Sequence, residues 1–258
     1  YDGTPMNKTG DTKKAETAVR TDKYPHSDND WENFDVLHIN RLPSAATFMA
    51  YTTKEKAVKN DKSQSEYFQS LNGTWKFQFV PRSDQRPMDF FEKGHDVSGW
   101  GNIKVPANWE MEGYGHPFYV GAGYGIKRNP PLIAVENSPV GSYKRTFNVP
   151  ANWKGKQIVL HFGGVASAFY VWVNGEKVGY SQDSKTPSEF DITPYAVTGQ
   201  NEIAVQVFKF SDGYYLEDQD YWRFAGIQRD VYLYARPNIH MRDFEVVTDL
   251  DNEYKDAD

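Results

Sequence analysis

The sequence predicts an all-β protein, an antiparallel β-sandwich with jelly-roll wiring and an extended amino-terminal segment. Three observations carry that prediction. Short alternating apolar runs recur every 10–15 residues, with no convincing three-turn helix between them. Asn174-Gly175 sits between two such runs in AFYVWVNGEKVGYSQD (168–183), the signature of a two-residue type I′ hairpin. Aromatic residues make up 16% of the 258 residues, which suits the core of a sandwich and also the flat faces of sugars.

Taken in order, residues 1–29 are polar and read as a loosely held leader. DWENFDVLHINRLPSAATFMAY (30–51) has neither clean period and reads as an extended segment laid across the domain surface. KEKAVKNDKSQSEYFQSL (54–71) supports one or two helical turns before a stop at Asn72-Gly73. GTWKFQFV (73–80) is a strand with Trp75, Phe77 and Phe79 on one face. Residues 81–140 read mostly as loop because of their Gly and Pro density, with a short helical piece at 87–93. Strands follow at 141–150, 158–165, on both arms of the hairpin, at 188–195 and in NEIAVQVFKF (201–210). RDVYLYARP (229–237) closes the domain at 30–237, and 238–258 reads as a linker plus the first strand of a further domain. The domain is large enough to bury a sizeable core.

Net charge is -6 without a basic block, so nucleic acid and anionic membrane are poor partners. No apolar run approaches the length of a spanning helix. Cysteine is absent, which excludes disulfides, thiolate metal sites and Cys nucleophiles. The chain opens on Tyr1 rather than Met, so the lack of a signal peptide decides nothing. No HExxH, GxSxG, Walker or GxGxxG pattern is present. His161 and His240 fall in strand patterns and read as packed, while His116 in GYGHPFY is a loop histidine.

The loop SDGYYLEDQDYWRFAGIQRD (211–230) is longer than a hairpin needs and carries Asp212, Glu217, Asp218, Asp220, Trp222 and Arg223. Carboxylates beside an indole suit a polyhydroxylated ligand or a hard cation. A solvated acidic turn answered by Arg223 and Arg229 explains the same spacing. Glu217 with Asp220 is the one local pair to weigh for retaining glycoside chemistry, which needs carboxylates about 5–5.5 Å apart. Trp109 and Trp222 lie in loops and are candidates to border a sugar.

Long ordered runs in the chain resemble the amino-terminal part of bacterial β-galactosidases of glycoside hydrolase family 2. They are DWEN (30–33), INRLP (39–43), SLNGTWKF (70–77), VPANWEMEGYGHPFY (105–119), NPP (129–131), ENSPVGSY (136–143), FGGVASAFYVWVNGEKVGYSQDSKTPSEFD (162–191) and SDGYYLEDQDYWRFAGIQRDVYL (211–233). The resemblance implies a jelly-roll, galactose-binding-domain-like sandwich that forms one wall of an active-site pocket. It places the two catalytic glutamates in a barrel outside this chain, so the chain alone should hydrolyse nothing and bind free galactose weakly at most. Residues 238–258 would enter an immunoglobulin-like domain.

The resemblance makes Asp220 the acid that contacts galactose hydroxyls and helps hold a sodium ion in the intact enzyme. The family's second sugar-contacting position, an Asn, falls on Gly121, with Asn129 or His116 as substitutes for the lost amide. A structural divalent cation, Mg²⁺ or Ca²⁺, would be held by Asp30, Asn33, the carbonyl of Val36, Gln182 and Asp212, all oxygen donors. Without a cation, the same residues read as turn caps and backbone partners. The implied partners are a galactoside and the remaining domains of the parent enzyme, with homo-oligomeric assembly left open. The implied setting is the soluble bacterial cytoplasm or periplasm. A stand-alone carbohydrate-binding module, the equivalent domain of a glucuronidase or mannosidase, and a purely structural sandwich are the competing readings.

Overall fold

The computed structural model describes residues 27–121, 123–217 and 220–255. Most of the expected leader, and Asp218, lie outside them. In chain order the elements are β1 (His38–Ile39), α1 (Lys54–Lys59), β2 (Phe68–Ser70), β3 (Gly73–Val80), β4 (Gly101–Val105), β5 (Phe118–Val120), β6 (Val140–Val149), β7 (Gln157–Phe162) and β8 (Val165–Ala166). They continue with β9 (Ala168–Val173), β10 (Glu176–Gln182), β11 (Ser188–Asp191), β12 (Gly199–Phe208), β13 (Tyr221–Arg223), β14 (Gly226–Ile227) and β15 (Val231–Arg236). A seven-stranded sheet runs β1-β10-β9-β12-β6-β3-β4 and a four-stranded sheet runs β11-β7-β15-β2; β5 pairs with β13, and β8 with β14. Every ladder among the described residues is antiparallel.

The core between the sheets is built by period-2 alternation. Trp75 and Phe77 of β3, Val171 and Val173 of β9, and Val205 and Val207 of β12 point inward to meet Leu160, Phe162 and Leu233 from the four-stranded sheet. The other face of the large sheet is also covered: Trp31 stacks on Phe208 (centroids 4.1 Å apart) beside Tyr170, Trp172 and Tyr180. β12 therefore reads apolar on both faces, and it is the best-paired strand, bonded to β6 over ten residues and to β9 on its other side. The β9–β10 hairpin turns at Asn174 and Gly175 with φ of 52° and 89°, the two positive values a type I′ turn requires.

The extended amino-terminal segment is an edge strand. β1 pairs with β10, and Arg41 bridges Phe190 on the other sheet. α1 stops earlier than the expected Asn72-Gly73, because Asn60 takes the left-handed conformation and caps it (φ 50°). The rest of that stretch becomes β2. The expected helix at 87–93 is a pair of turns closed by Glu92 N to Asp89 O and His95 N to Glu92 O. β4 and β5 lie inside the stretch read as loop, where flanking Gly and Pro masked runs of five and three residues. Residues 238–249 enter no ladder: Arg242 donates to the Pro43 carbonyl, Asp243 accepts from Ala46 N, and Ile239, Val246 and Val247 are exposed.

Candidate functional site

Two groups of site residues lie beyond the end of β12. The first is a rim. β5 and β13 form a short ladder with Tyr119 opposite Trp222 and Tyr221 opposite Val120. Alternation along β5 puts Tyr119 and Gly121 on one side, and Asp220 immediately precedes β13. The Tyr119 hydroxyl donates to Asp220 Oδ1, and this bond holds the Tyr119 phenol above the ordinary tyrosine value. The Tyr119 and Trp222 rings meet edge to face at 5.8 Å, and both stay about half exposed. Asp220, Gly121 and Trp222 are therefore brought together, with a carboxylate and two aromatic surfaces facing outward.

His116 is not part of that rim. It lines an open cleft of about 600 Å³ with Phe79, Glu110, Phe118 and Phe210, while its carbonyl accepts from Lys209 Nζ at 3.3 Å. In the wall of this cleft lies a buried ion pair that sequence reasoning missed. Lys209 Nζ donates to Glu110 Oε1 at 2.5 Å, and Glu110 Oε2 accepts from Ala225 N, so one carboxylate ties β12 to the loop before β14. Glu217 turns to the neighbouring loop, accepting from Ser184 N and its hydroxyl. Trp109 is fully buried and donates to the Tyr143 hydroxyl, so it is a core residue with no face for a sugar. His161 is packed as expected, bonded to Glu189, whereas His240 is a partly exposed residue against the Pro237 carbonyl.

The second group is a niche lined by oxygens. The turn at Asp30–Glu32 packs against the turn at Asp212–Leu216. Asp30 Oδ2 accepts from the Tyr170 hydroxyl at 2.7 Å, with Lys177 Nζ 3.6 Å away. Gln182 Nε2 donates to the Val36 carbonyl, and its Oε1 is buried with no hydrogen-bond partner. Asp212 is buried, accepts from Gly213 N, and has its carboxyl pushed up to about 6 by burial. The charged group acting on Asp212 is Glu32, another carboxylate. Asn33 Oδ1 accepts from Asp35 N. Among the described residues no three His, Cys, Asp or Glu side chains form a metal-binding group; this set instead combines two carboxylates with amide and carbonyl oxygens. An orphaned buried amide oxygen beside a buried carboxylate with no countercharge among the described residues is what a hard cation would satisfy, so the residues fit a divalent ion.

Residues 68–237 match the model of the sugar binding domain of glycosyl hydrolases family 2. The chain belongs to that family. It is 45% identical over 257 residues to a β-galactosidase of Priestia megaterium, covering 98% of this chain and 24% of the relative. It is 46% identical over 231 residues to a β-galactosidase of Halalkalibacterium halodurans, covering 88% of this chain and 23% of the relative. The fold is similar to that of the Bacteroides uniformis β-glucuronidase crystal structure, with a TM-score of 0.51 at 27% identity, over 66% of this chain and 18% of that one. The chain thus spans about a quarter of the length of the β-galactosidases it matches. No helix among the described residues is long and apolar enough to cross a membrane.

Proposed function

We propose that this sugar-binding domain forms one wall of the substrate pocket of a β-galactosidase whose catalytic glutamates lie elsewhere in a longer polypeptide. The observation that carries the reading is the β5–β13 ladder, which sets Asp220 against the Tyr119 hydroxyl with the half-exposed Trp222 ring packed edge to face on Tyr119. An ionised carboxylate accepts hydrogen bonds from sugar hydroxyls, and an aromatic face covers the apolar side of a pyranose. The same carboxylate offers a hard oxygen to a sodium ion in the intact enzyme. Gly121 supplies no amide to the sugar, and the glucuronidase fold neighbour keeps a uronide specificity as the second reading.

In the niche, Asp30, Asn33, the Val36 carbonyl, Gln182 and Asp212 would hold Mg²⁺ or Ca²⁺. When bound, the ion neutralises the buried Asp212 carboxylate and ties the amino-terminal segment to the strand exit after β12. NMR titration of the chain with galactose, and with glucuronate as the competitor, tests the rim. The expected result is weak, millimolar binding that moves the Trp222 indole and the amides of Tyr119 and Gly121, with galactose ahead of glucuronate. Shifts confined to other parts of the sandwich would defeat the proposal. Magnesium should move Gln182 and Asp212 in a separate titration.

A further inference from the structure

The rim contains a residue whose task the sequence did not reveal. Asp220 precedes β13 and is exposed, so nothing in its burial fixes the direction of its carboxylate. The bond that orients it comes from across the ladder, from the Tyr119 hydroxyl to Oδ1. Tyr119 is itself held by its place in β5 and by its edge-to-face contact with Trp222. A carboxylate with one oxygen engaged by a fixed donor presents the other in a defined direction.

Gly121 lies against this bond. A Cβ built there would lie 3.6 Å from Asp220 Oδ1, 3.6 Å from Tyr119 Cε1 and 3.7 Å from the Tyr119 hydroxyl. Residue 121 therefore points at the Tyr119–Asp220 bond itself. A methyl group would fit there at ordinary contact distance, and with glycine at 121 the donor to Asp220 is Tyr119.

We propose that Tyr119 is a positioning residue for the sugar-facing Asp220, its phenol supplying the hydrogen bond that fixes which carboxylate oxygen faces the sugar. The proposal rests on the reading of Asp220 as the sugar-contacting acid.

The test uses the full chain and two substitutions at exposed positions: Tyr119→Phe and Asp220→Asn. The first readout needs no sugar. At pH 8 the Tyr119 ring carbon bearing the hydroxyl, read by ¹³C NMR, should shift when Asp220→Asn changes its acceptor, and the Asp220 carboxyl carbon should shift in Tyr119→Phe. Carbon resonances indifferent to the partner's substitution overturn the proposal. The second readout is the galactose-induced shift of the Trp222 indole. Tyr119→Phe should weaken galactose by roughly three- to tenfold, the worth of one hydrogen bond. Unchanged affinity in Tyr119→Phe overturns the positioning role. A coupled phenol together with a Trp222 indole that galactose never moves overturns the sugar reading of the rim, and the positioning role falls with it.

Discussion

Replacing Asp212 with asparagine should raise the stability of the metal-free chain at pH 8. Burial pushes the Asp212 carboxyl from 3.8 up to about 6. The folded state therefore holds this proton more tightly than the unfolded state does. Stability from this group is fully present below pH 3.8, falls as pH rises from 3.8 to about 6, and stays low above that. The gap corresponds to a penalty of about 3 kcal/mol at pH 8, an upper figure for a buried carboxylate with no countercharge. Asparagine keeps an oxygen for Gly213 N, carries no charge, and brings an amide that can donate to the orphaned Gln182 Oε1. In EDTA at pH 8 the variant should melt roughly 6–12 °C above the parent chain if the whole penalty is relieved. Magnesium should reverse the ranking, stabilising the aspartate chain at pH 8 and leaving the asparagine variant almost unmoved. At pH 4 the aspartate is largely protonated and cannot ligate, so the magnesium effect should vanish. Calorimetric melts at pH 4, 6 and 8, with EDTA or magnesium, read all of this. An asparagine variant that melts below the parent in EDTA at pH 8 refutes the reasoning, as does a magnesium shift of equal size at pH 4 and pH 8.

Three further outcomes are expected. Lys144 is buried, donates to the carbonyls of Phe90, Glu92 and His95, and pairs with Glu202, so Lys144→Met should cost about 3 kcal/mol in urea denaturation by leaving those acceptors and a carboxylate unanswered. Gly141→Ala would put a methyl carbon 2.5 Å from Trp109 Cζ2 and 2.7 Å from Phe77 Cε2; overpacking of about 1–3 kcal/mol should appear as a lowered urea midpoint. The chain by itself should leave nitrophenyl β-galactoside intact; turnover above a buffer blank, with contaminating enzyme removed, would contradict the placement of the catalytic glutamates elsewhere.

The strands legible in the sequence were those whose alternation is long. β3, β6, β12 and the β9–β10 hairpin each run for six or more residues of apolar and aromatic sequence, so their pattern survives noise. β2, β4, β5 and β13 are three to five residues of ladder inside polar or Gly-rich sequence, and their partners are distant; Tyr119 finds Trp222 some hundred residues away. Pairing of that kind leaves no local trace. The rim shows the same division. Asp220 and Trp222 could be chosen by residue type, but Tyr119 could not, because its role depends on sharing a face with Gly121 within a strand hidden among glycines. Trp109 was misjudged for the opposite reason: a loop position does not keep an indole out of the core, and here the 3₁₀ turn at Trp109–Glu112 carries it inward. His116 sits close to the rim in sequence, yet its side chain lines a different cleft.

The way β12 ends has a consequence for how this surface can change. Just past Phe208, Lys209 is clamped by Glu110, and Ser211 is locked hydroxyl to hydroxyl against Ser167 at 2.6 Å. Asp212 and Asp220 both descend from that anchorage, one into the niche and the other toward the rim. They are two fittings on a single bracket. A substitution that tilts the bracket shifts both at once, so drift in sugar preference and drift in cation preference should be inherited together.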